Sequence, residues 1–272
     1  MGVTMQTGKA GQFLSLHQAG EPLLLPNPWD AGSARLLASL GFLALATTSS
    51  GFALTLGRPD GAVTRDEALE HGRVIVSATE LPVSADLEGG FADDPAGVAR
   101  TVELAVQAGL AGCSIEDFSG SARQPVYEPG LATERITAAA EAAHRDGLRL
   151  VLTARAENYL HGRPDLADTI ARLQAFQEAG ADVLYAPGLT ELADIRQVVA
   201  SVDRPVNVLA LPGCPPADEL AAAGVSRISV GGSFARMAYG ALADAATELR
   251  DRGTYGYLGR PSEAVVRDLF AS

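Results

Sequence analysis

The sequence predicts an α/β fold in which strands and helices alternate eight times and close into a (β/α)8 TIM-type barrel. Eight short apolar runs, many of them β-branched, alternate with Ala/Leu-rich stretches of helical periodicity within 272 residues. That length suits a barrel of eight strand–helix units. Several helical stretches end on glycine, the common helix C-cap residue, and a strand run follows each of these glycines. An open, doubly wound sheet is the alternative, but no Gly-x-Gly-x-x-Gly follows the first strand and no Gly-Lys-Ser/Thr loop is present.

The predicted elements follow one another without a Pro/Ser-rich linker or a charge run. The strands are predicted at Pro22–Pro26, Phe42–Thr47, Pro82–Asp86, Gly112–Asp117, Leu148–Arg155, Asp182–Ala186, Pro205–Leu209 and Arg227–Val230. The helices are predicted at Ala31–Leu40, Thr64–Thr79, Pro95–Ala108, Leu131–Arg145, Pro164–Ala179, Thr190–Ser201, Pro216–Ala223 and Ser233–Leu249. A last helix, Pro261–Phe270, has no strand of its own to cover, and we expect it to pack on a neighbouring subunit or to cap the barrel. We therefore predict a single barrel domain over residues 1–272, with 251–272 as a C-terminal helical extension.

Composition argues against several classes of function. The chain has 33 acidic and 21 basic residues and a formal net charge of −12, which disfavours binding to nucleic acid or to an acidic membrane surface. No apolar run is long enough to span a membrane, and the two cysteines form no disulfide framework, so we expect a cytoplasmic protein. Lys9, the single lysine, precedes the first predicted strand. Chemistry that needs a lysine Schiff base is therefore disfavoured.

Charged side chains collect at the carboxyl ends of the predicted strands, where barrels of this type have their active sites. Asp86 and Glu88 follow the third strand, Glu116 ends the fourth, and Arg155 ends the fifth. Taken singly, each acidic residue is better explained as a helix N-cap or a salt-bridge partner. Several carboxylates on one ring would repel one another unless a cation lay among them. Because the ring is rich in oxygen and poor in His and Cys, the pattern favours Mg²⁺, with Mn²⁺ possible, over Zn²⁺.

Two long loops follow strands at this end of the predicted barrel. Ser49–Val63 contains Asp60, and Phe118–Gly130 follows the fourth strand. Long loops in this position are often lids, although their Gly and Pro content also suits plain surface loops. His71 and His144 fall within predicted helices and are expected at the surface.

Several segments, taken in order, resemble the isocitrate lyase / phosphoenolpyruvate mutase family. They are "NPWDAGSARLLASLGF", "ATTSSGF", "SADLEGGF", "SIEDFSG", "LTARAENYL" and "GADVLYAPG", and the resemblance spans roughly residues 22–245. It implies a (β/α)8 barrel whose terminal helix is exchanged between the subunits of a homodimer or homotetramer. It also implies Mg²⁺ and a small 2-oxo or 2-hydroxy acid. In this family a C–C or P–C bond next to the α-carbon is made or broken through an enolate-like state.

The resemblance implies a role for each matched residue. The residues matched to the metal site are Asp60, Asp86, Glu88 and Glu116, of which Glu88 stands where the family has Asp. The residues matched to substrate binding are Ser50, Gly51, Phe52 and Asn207. Arg155 matches the arginine that binds a substrate carboxylate or phosphonate, and Arg155 and Glu116 are the predicted catalytic residues.

The loop after the fourth strand departs from the family pattern. Lyases of the family carry Lys-Lys-Cys-Gly-His there and phosphonomutases carry a Lys and an Asn, whereas this chain has "GSARQPVYEPG". Tyr127 is therefore the candidate proton donor, with Glu128 as the alternative. The sequence predicts a Mg²⁺-dependent lyase or decarboxylase that cleaves a C–C bond of a small (di)carboxylate. The alternatives are a mutase or hydrolase that acts on a P–C bond, and a barrel that binds an oxo acid without turnover.

Overall fold

Eight parallel strands form a barrel, and each strand lies within the run that the sequence predicts for it. The structure is a computed structural model that describes residues 2–145, 149–259 and 261–269. The strands are β1 Leu23–Leu25, β2 Leu45–Ala46, β3 Val83–Asp86, β4 Gly112–Glu116, β5 Val151–Arg155, β6 Val183–Tyr185, β7 Val206–Leu209 and β8 Arg227–Ser229. Gly147, Leu148 and Phe270, which belong to predicted elements or caps, lie outside the described residues.

Contacts between β1 and β2 close the sheet. Each strand pairs in parallel with its neighbour in sequence from β2 to β8, and β8 pairs with β1. Across the remaining gap, the Ala46 amide donates to the Pro26 carbonyl at 3.1 Å. The Asn27 side chain donates to the carbonyls of Ala46 and Thr47, both at 3.1 Å. The barrel prediction is confirmed, and the open-sheet alternative is wrong.

Helices cover the barrel between the strands. They are α1 Gly2–Ser15, α2 Ala31–Ser39, α3 Ser49–Thr55, α4 Arg65–Ala78, α5 Pro95–Gln107, α6 Pro129–Ala143, α7 Leu166–Glu178, α8 Leu192–Ala200, α9 Ala217–Ala222, α10 Ser233–Arg252 and α11 Pro261–Leu269. Side-chain caps define several starts: Thr64 and Glu67 form a capping box at α4, and Asp94 caps α5. Gly109 and Gly180 follow helices with φ of 82° and 102°, which is the left-handed region that the predicted glycine caps require. Within the described residues, no helix is long and apolar enough to cross a membrane.

Helix α1, which the sequence prediction omitted, closes the amino-terminal end of the barrel. Phe13 and Ala10 are fully buried there against residues at the starts of the strands, including Val151 and Val183. The Phe13 ring leaves no room for a side chain at Gly112, since a Cβ there would lie 2.8 Å from it. The sequence of α1 is only weakly amphipathic, which is why the periodicity of apolar residues predicts no helix there.

Helix α3 occupies the first half of the loop predicted over Ser49–Val63, so that part of the loop prediction is wrong. The Thr48 hydroxyl accepts the Gly51 amide and caps the helix. The small polar residues at the start of α3 are typical of a loop, but here they form a helix N-terminus. The second predicted loop is ordered by a bridge between Phe118 and Val126.

The expectation that His71 and His144 lie on the surface is wrong for His71. This ring is buried on α4, with Nε2 3.0 Å from the Trp29 carbonyl oxygen, and it stacks on Phe52 at 3.9 Å. His144 is half-buried, and its Nε2 lies 2.9 Å from an Asp182 oxygen. Both imidazoles have tertiary partners that helical periodicity alone does not reveal.

Candidate active site

The carboxyl ends of the strands surround a polar pocket with a volume of about 170 Å³. Strand register explains which side chains meet there, because Glu116 pairs with Arg155, Arg155 with Tyr185, and Tyr185 with Asn207 on consecutive strands. The side chains that strands contribute to the pocket wall include Asp86, Arg155, Tyr185, Asn207, Arg227 and Ser229. The pocket therefore lies where the fold class places active sites.

Arg155 lies at the centre of an acidic cluster. Its Nε donates to Glu157 at 2.8 Å and its Nη1 to Asp86 at 3.1 Å, while Nη2 lies 3.2 Å from a Glu116 oxygen. The side chain of Arg155 is only 13% exposed, and that of Glu157 is 2% exposed. The planar guanidinium thus binds three carboxylates from three different strand ends, which fixes the position of each.

Burial and charge act in opposite directions in this cluster. Burial by itself lowers the pKa of Arg155, but the three carboxylates around it outweigh this effect and hold its pKa well above the usual value. Burial raises the pKa of Glu116 well above its usual value, although Arg155 acts in the opposite direction. The arginine therefore stays charged at neutral pH, and the cluster contains more carboxylates than this one cation neutralises.

Asp60 and Glu88 bring two more carboxylates to the edge of the cluster. Burial raises the pKa of Glu88 to about 7, and the charges of Asp86 and Asp60 add to the effect. Burial and Asp86 also raise the pKa of Asp60. Glu88 has a φ of 49°, a left-handed conformation that is uncommon outside glycine and recurs at functional sites.

The donor set fits a hard divalent cation. The charge of Asp86 contributes to raising the pKa of Asp60, Glu88 and Glu116. Mg²⁺ or Mn²⁺ would neutralise carboxylates that lie this close together. Among the described residues, no three Asp, Glu, His or Cys side chains form a group that could hold a metal by themselves. This is compatible with Mg²⁺, because the ion keeps several waters and takes one or two protein carboxylates.

The N-terminus of α3 forms another part of the pocket wall. Ser50 lines the pocket, and its hydroxyl lies 3.2 Å from that of Thr48. The Gly51 amide, predicted to hold a substrate carboxylate, donates to Thr48 Oγ1 at 3.3 Å. A Cβ on Gly51 would lie 2.6 Å from the Thr48 side chain and 3.3 Å from that of Trp29. Gly51 is therefore required for close packing at the pocket, whatever its amide binds.

Arg227 and Asn207 lie deep in the pocket. Arg227 is 4% exposed, and its Nη2 donates to Thr153 Oγ1 on β5 at 3.0 Å, on the opposite side of the barrel. Its Nε donates to the Asn207 Oδ1 at 2.9 Å, and its Nη1 lies 3.1 Å from His17 Nε2. His17 Nδ1 lies 2.9 Å from the Phe13 carbonyl oxygen, so Nδ1 carries the hydrogen and Nε2 accepts from Arg227.

His17 is expected to make the protein sensitive to acid. Burial and Arg227 lower its pKa to about 3, so the folded state binds fewer protons than the unfolded state between that pH and about 6.5. The stability that neutral His17 contributes is present above about pH 6.5 and is lost as the pH falls toward 3, by on the order of several kcal/mol. His17→Gln keeps an acceptor for Arg227 and removes the titration. In urea unfolding at pH 7 and pH 4.5, the variant should therefore lose less stability than the wild type, and equal losses would contradict this assignment.

Among the predicted site residues, Gly51, Glu88 and Glu116 adjoin residues of the pocket wall without lining it, whereas Phe52 and Tyr127 face other parts of the molecule. Phe52 stacks on His71 and faces a separate apolar groove between α3, α4 and α10. The Tyr127 hydroxyl lies 2.5 Å from an Asp93 oxygen, and Arg135 lies 4.1 Å from the centre of the Tyr127 ring. Neither residue contributes to the pocket wall, so the structure gives no support to a substrate contact by Phe52 or to proton transfer by Tyr127.

Three residues of the pocket wall or of the Arg155 cluster are absent from the predicted site. Glu157 follows Arg155 by two positions, and its acidic side chain was visible in "TARAEN". Tyr185 and Arg227 are polar residues within short apolar strand runs, which is a signal for an inward-facing functional side chain. The charge of Arg227 in particular is hard to accommodate inside a barrel unless it has a role there.

The chain is similar to a family model and to proteins of known activity. A family model described as phosphoenolpyruvate phosphomutase matches residues 13–250, which include all eight strands. The 2-methylisocitrate lyase of Escherichia coli K12 is 32% identical over 235 residues, covering 78% of this chain and 78% of that protein.

Solved structures extend the similarity. A lyase/mutase-like protein from Burkholderia cenocepacia J2315 is 51% identical and superposes with a TM-score of 0.92, covering 97% of this chain and 96% of that one. The structure of a 2,3-dimethylmalate lyase is 27% identical with a TM-score of 0.84, covering 96% of this chain and 94% of that one. The sequence and fold similarities both extend over the strands that form the pocket.

Proposed function

Because the chain belongs to the phosphoenolpyruvate phosphomutase family and is an enzyme of the isocitrate lyase/phosphoenolpyruvate mutase superfamily, we propose that it is a divalent-metal-dependent carbon–carbon lyase or decarboxylase. Its substrate is a small 2-oxo or 2-hydroxy (di)carboxylate, and the bond that breaks is next to the α-carbon. The observation that carries the proposal is the cluster in which Arg155 binds three carboxylates beside a small polar pocket that Arg155, Asp60 and Asp86 line.

Different residues at the pocket are proposed to bind the metal and the substrate. Asp86 is the direct metal ligand in this proposal, and Asp60, Glu88 and Glu116 hold it through water or assist it. When bound, Mg²⁺ would supply Lewis-acid stabilisation of the negative charge that develops on the substrate. Arg155 binds a substrate carboxylate with the donor capacity left beside its three partners. The amides of Ser50 and Gly51 hold a carboxylate, and Asn207 contacts the distal end. The volume of about 170 Å³ suits an acid of a few carbon atoms.

Chemistry at a P–C bond is the alternative outcome. A transferring phosphoryl group requires several cationic contacts. The loop between Phe118 and Gly130 contains no lysine, although Arg227 and Arg236 both line the pocket. Because the loop lacks the lysine that phosphonomutases of the family carry there, we propose the lyase and include phosphonopyruvate in the test.

A turnover screen with Mg²⁺ tests the proposal. The acids are oxaloacetate, methylisocitrate, alkylmalates including 2,3-dimethylmalate, and phosphonopyruvate, with products identified by mass spectrometry and phosphorus NMR. A lyase gives Mg²⁺-dependent release of a small oxo acid from one of the first three. A new phosphorus signal from phosphonopyruvate alone would favour the P–C alternative. A melting shift with oxalate and Mg²⁺ but no product from any acid would favour binding without turnover.

We further propose that the enzyme is a homodimer or homotetramer that exchanges its C-terminal helices. Along α10 the large apolar side chains of Met237, Leu242 and Leu249 are exposed, by 68%, 64% and 47%. The adjoining groove has a volume of about 910 Å³ and is lined by Trp29 and Phe52 among others. Helix α11, which carries the exposed Val265 and Val266 among others, is of a size to fill such a groove in a second copy.

Leu242→Glu is expected to yield monomers, because it places a charge in the middle of the proposed interface. Light scattering coupled to size exclusion gives the mass. Leu43→Glu is the matched control, since Leu43 is similarly exposed but lies next to a different cavity, near the amino-terminal end of the barrel. A wild type that is monomeric at micromolar concentration, or a Leu242→Glu variant with unchanged mass, would contradict the proposed exchange.

A further inference from the structure

Among the described residues, the candidate proton donors that line the pocket are two carboxyl groups and one tyrosine. The side chains that line the pocket include no His, Cys or Lys. Its carboxylates lie beside Arg155 or one another, and the loop tyrosine, Tyr127, is bound to Asp93 outside the pocket. Cleavage of a C–C bond leaves an electron pair on carbon, however, and that carbon must receive a proton. Some group in the pocket has to supply it.

Tyr185 has the position that this step requires. It ends β6, between Arg155 on β5 and Asn207 on β7, and its side chain is 7% exposed where it lines the pocket. The Arg155 guanidinium lies 5.1 Å from the centre of the Tyr185 ring. Tyr185 is the one phenol among the described residues that line the pocket, and it lies directly beside the predicted carboxylate-binding arginine.

A hydrogen-bonded chain holds the surroundings of this phenol in place. Asn207 Nδ2 donates to the Ser229 hydroxyl at 3.0 Å, and Arg227 Nε donates to Asn207 Oδ1 at 2.9 Å. Ser229 lowers the pKa of Tyr185, which is the effect of a donor near the phenolate oxygen. Since the Ser229 oxygen already accepts from Asn207, its own hydrogen is free to be donated to the Tyr185 oxygen. The hydrogen of Tyr185 is then free to point into the pocket.

We propose that Tyr185 is the proton donor of the reaction, an inference that rests on the proposed lyase function. In a 2-hydroxy acid the C–C bond and the O–H bond of the 2-hydroxyl both break, the hydroxyl carbon becomes the carbonyl of the released oxo acid, and the hydroxyl proton passes to solvent. The C–C electron pair stays on the carbon of the other fragment or, in a decarboxylation, on the carbon that loses CO₂. The O–H bond of Tyr185 breaks, and a C–H bond forms at that carbon. The resulting phenolate regains a proton from solvent water at the pocket mouth, so no oxidant or reductant is needed.

The electrostatics of the pocket suit this role. Burial raises the pKa of Tyr185 to about 12, so the side chain is a neutral acid at physiological pH. Arg155 acts in the opposite direction and stabilises the phenolate once it forms, and Arg227 also interacts with the Tyr185 charge. Positioned acids of this kind contribute about 10²- to 10⁴-fold to a rate.

Tyr185→Phe tests the inference, with Tyr127→Phe as the matched control. On the acid with the highest rate in the screen, Tyr185→Phe should lower kcat by about 100-fold or more and change KM by less than about threefold. Tyr127→Phe should stay within about threefold of the wild-type kcat. Both variants should keep the melting shift produced by oxalate and Mg²⁺, because neither phenol carries the proposed carboxylate or metal contacts.

A second readout separates proton donation from a merely structural role. Cleavage of 2,3-dimethylmalate in D₂O leaves propionate with one deuterium at C2. Wild-type enzyme should give a single configuration at that carbon, and Tyr185→Phe should give a mixture, because the carbanionic fragment is then protonated by solvent. Where this acid is not cleaved, the kinetic readout decides.

The outcomes distinguish this inference from the function on which it rests. A wild type that cleaves an acid while Tyr185→Phe retains kcat within about threefold, or retains a single configuration, overturns the role of Tyr185 and leaves the lyase intact. Loss of the oxalate shift in Tyr185→Phe overturns it also, since the residue would then act in binding. Absence of wild-type turnover on every acid overturns both.

Discussion

Asp86→Asn is expected to lower turnover by roughly 1,000-fold, since a bound metal contributes several kcal/mol and each 1.36 kcal/mol is a factor of ten in rate. The substitution keeps the size of the side chain and removes its charge. Asp86 accepts hydrogen bonds from the Ser49 amide at 3.1 Å and from Arg155, so the variant also weakens the contact that holds the cluster. Steady-state kinetics across a Mg²⁺ titration measures the effect, which should include loss of the dependence on Mg²⁺.

Asp93→Asn is the matched control for this prediction. Asp93 is a carboxylate a few residues further along the same segment, but its partner is Tyr127 and it does not line the pocket. It should keep near-normal turnover and Mg²⁺ dependence. If Asp86→Asn retained both, the assignment of the metal site to this cluster would be wrong.

Arg155→Met should destabilise the protein by about 3–5 kcal/mol, because it leaves buried carboxylates without their cation. Glu157 is almost fully buried and Glu116 is 10% exposed, so neither can recover its hydration in place. The free energy of unfolding, measured in urea at pH 7, gives the magnitude. Turnover should be lost as well, since the guanidinium is the proposed ligand for a substrate carboxylate.

Two further variants locate the cause of that loss. Arg58→Met removes an arginine from a solvent-exposed pair with Glu67 and should cost much less stability. Adding Glu116→Gln to Arg155→Met removes one of the unpaired charges and should recover part of the stability without recovering turnover. A double variant no more stable than the single one would show that the loss arises from packing rather than from unpaired charge.

The strand ends were the most predictable part of the site. Asp86, Glu116 and Arg155 end three consecutive strands, and the barrel joins them in one cluster with Arg155 in contact with both acids. The prediction succeeds because all parallel strands of a barrel end at the same edge. The last residue of each strand therefore lies at that edge. Residues in loops and short helices were less predictable, because nothing local determines which way they face.

Tyr127 and Phe52 illustrate that limit. Phe52 follows the pocket residue Ser50 closely and Tyr127 lies in the loop after the fourth strand, yet Tyr127 contacts Asp93 and Phe52 contacts His71. Each side chain has a partner from another part of the chain, 34 residues away in the case of Tyr127. The separation in sequence between a residue and a motif therefore does not indicate whether its side chain lines the pocket.

The sequence by itself determined the alternation of strands and helices, the glycine C-cap signals that separate them, and the acidic and basic residues that end the strands. These follow from local periodicity and local backbone preferences, which a single segment expresses alone. Only the tertiary structure decided that Arg155 binds three carboxylates, that Arg227 spans the barrel to Thr153, and that Tyr185 lies beside Arg155 in the pocket. Those contacts depend on the closure and register of the barrel, which bring together side chains from distant segments, and no local pattern encodes them.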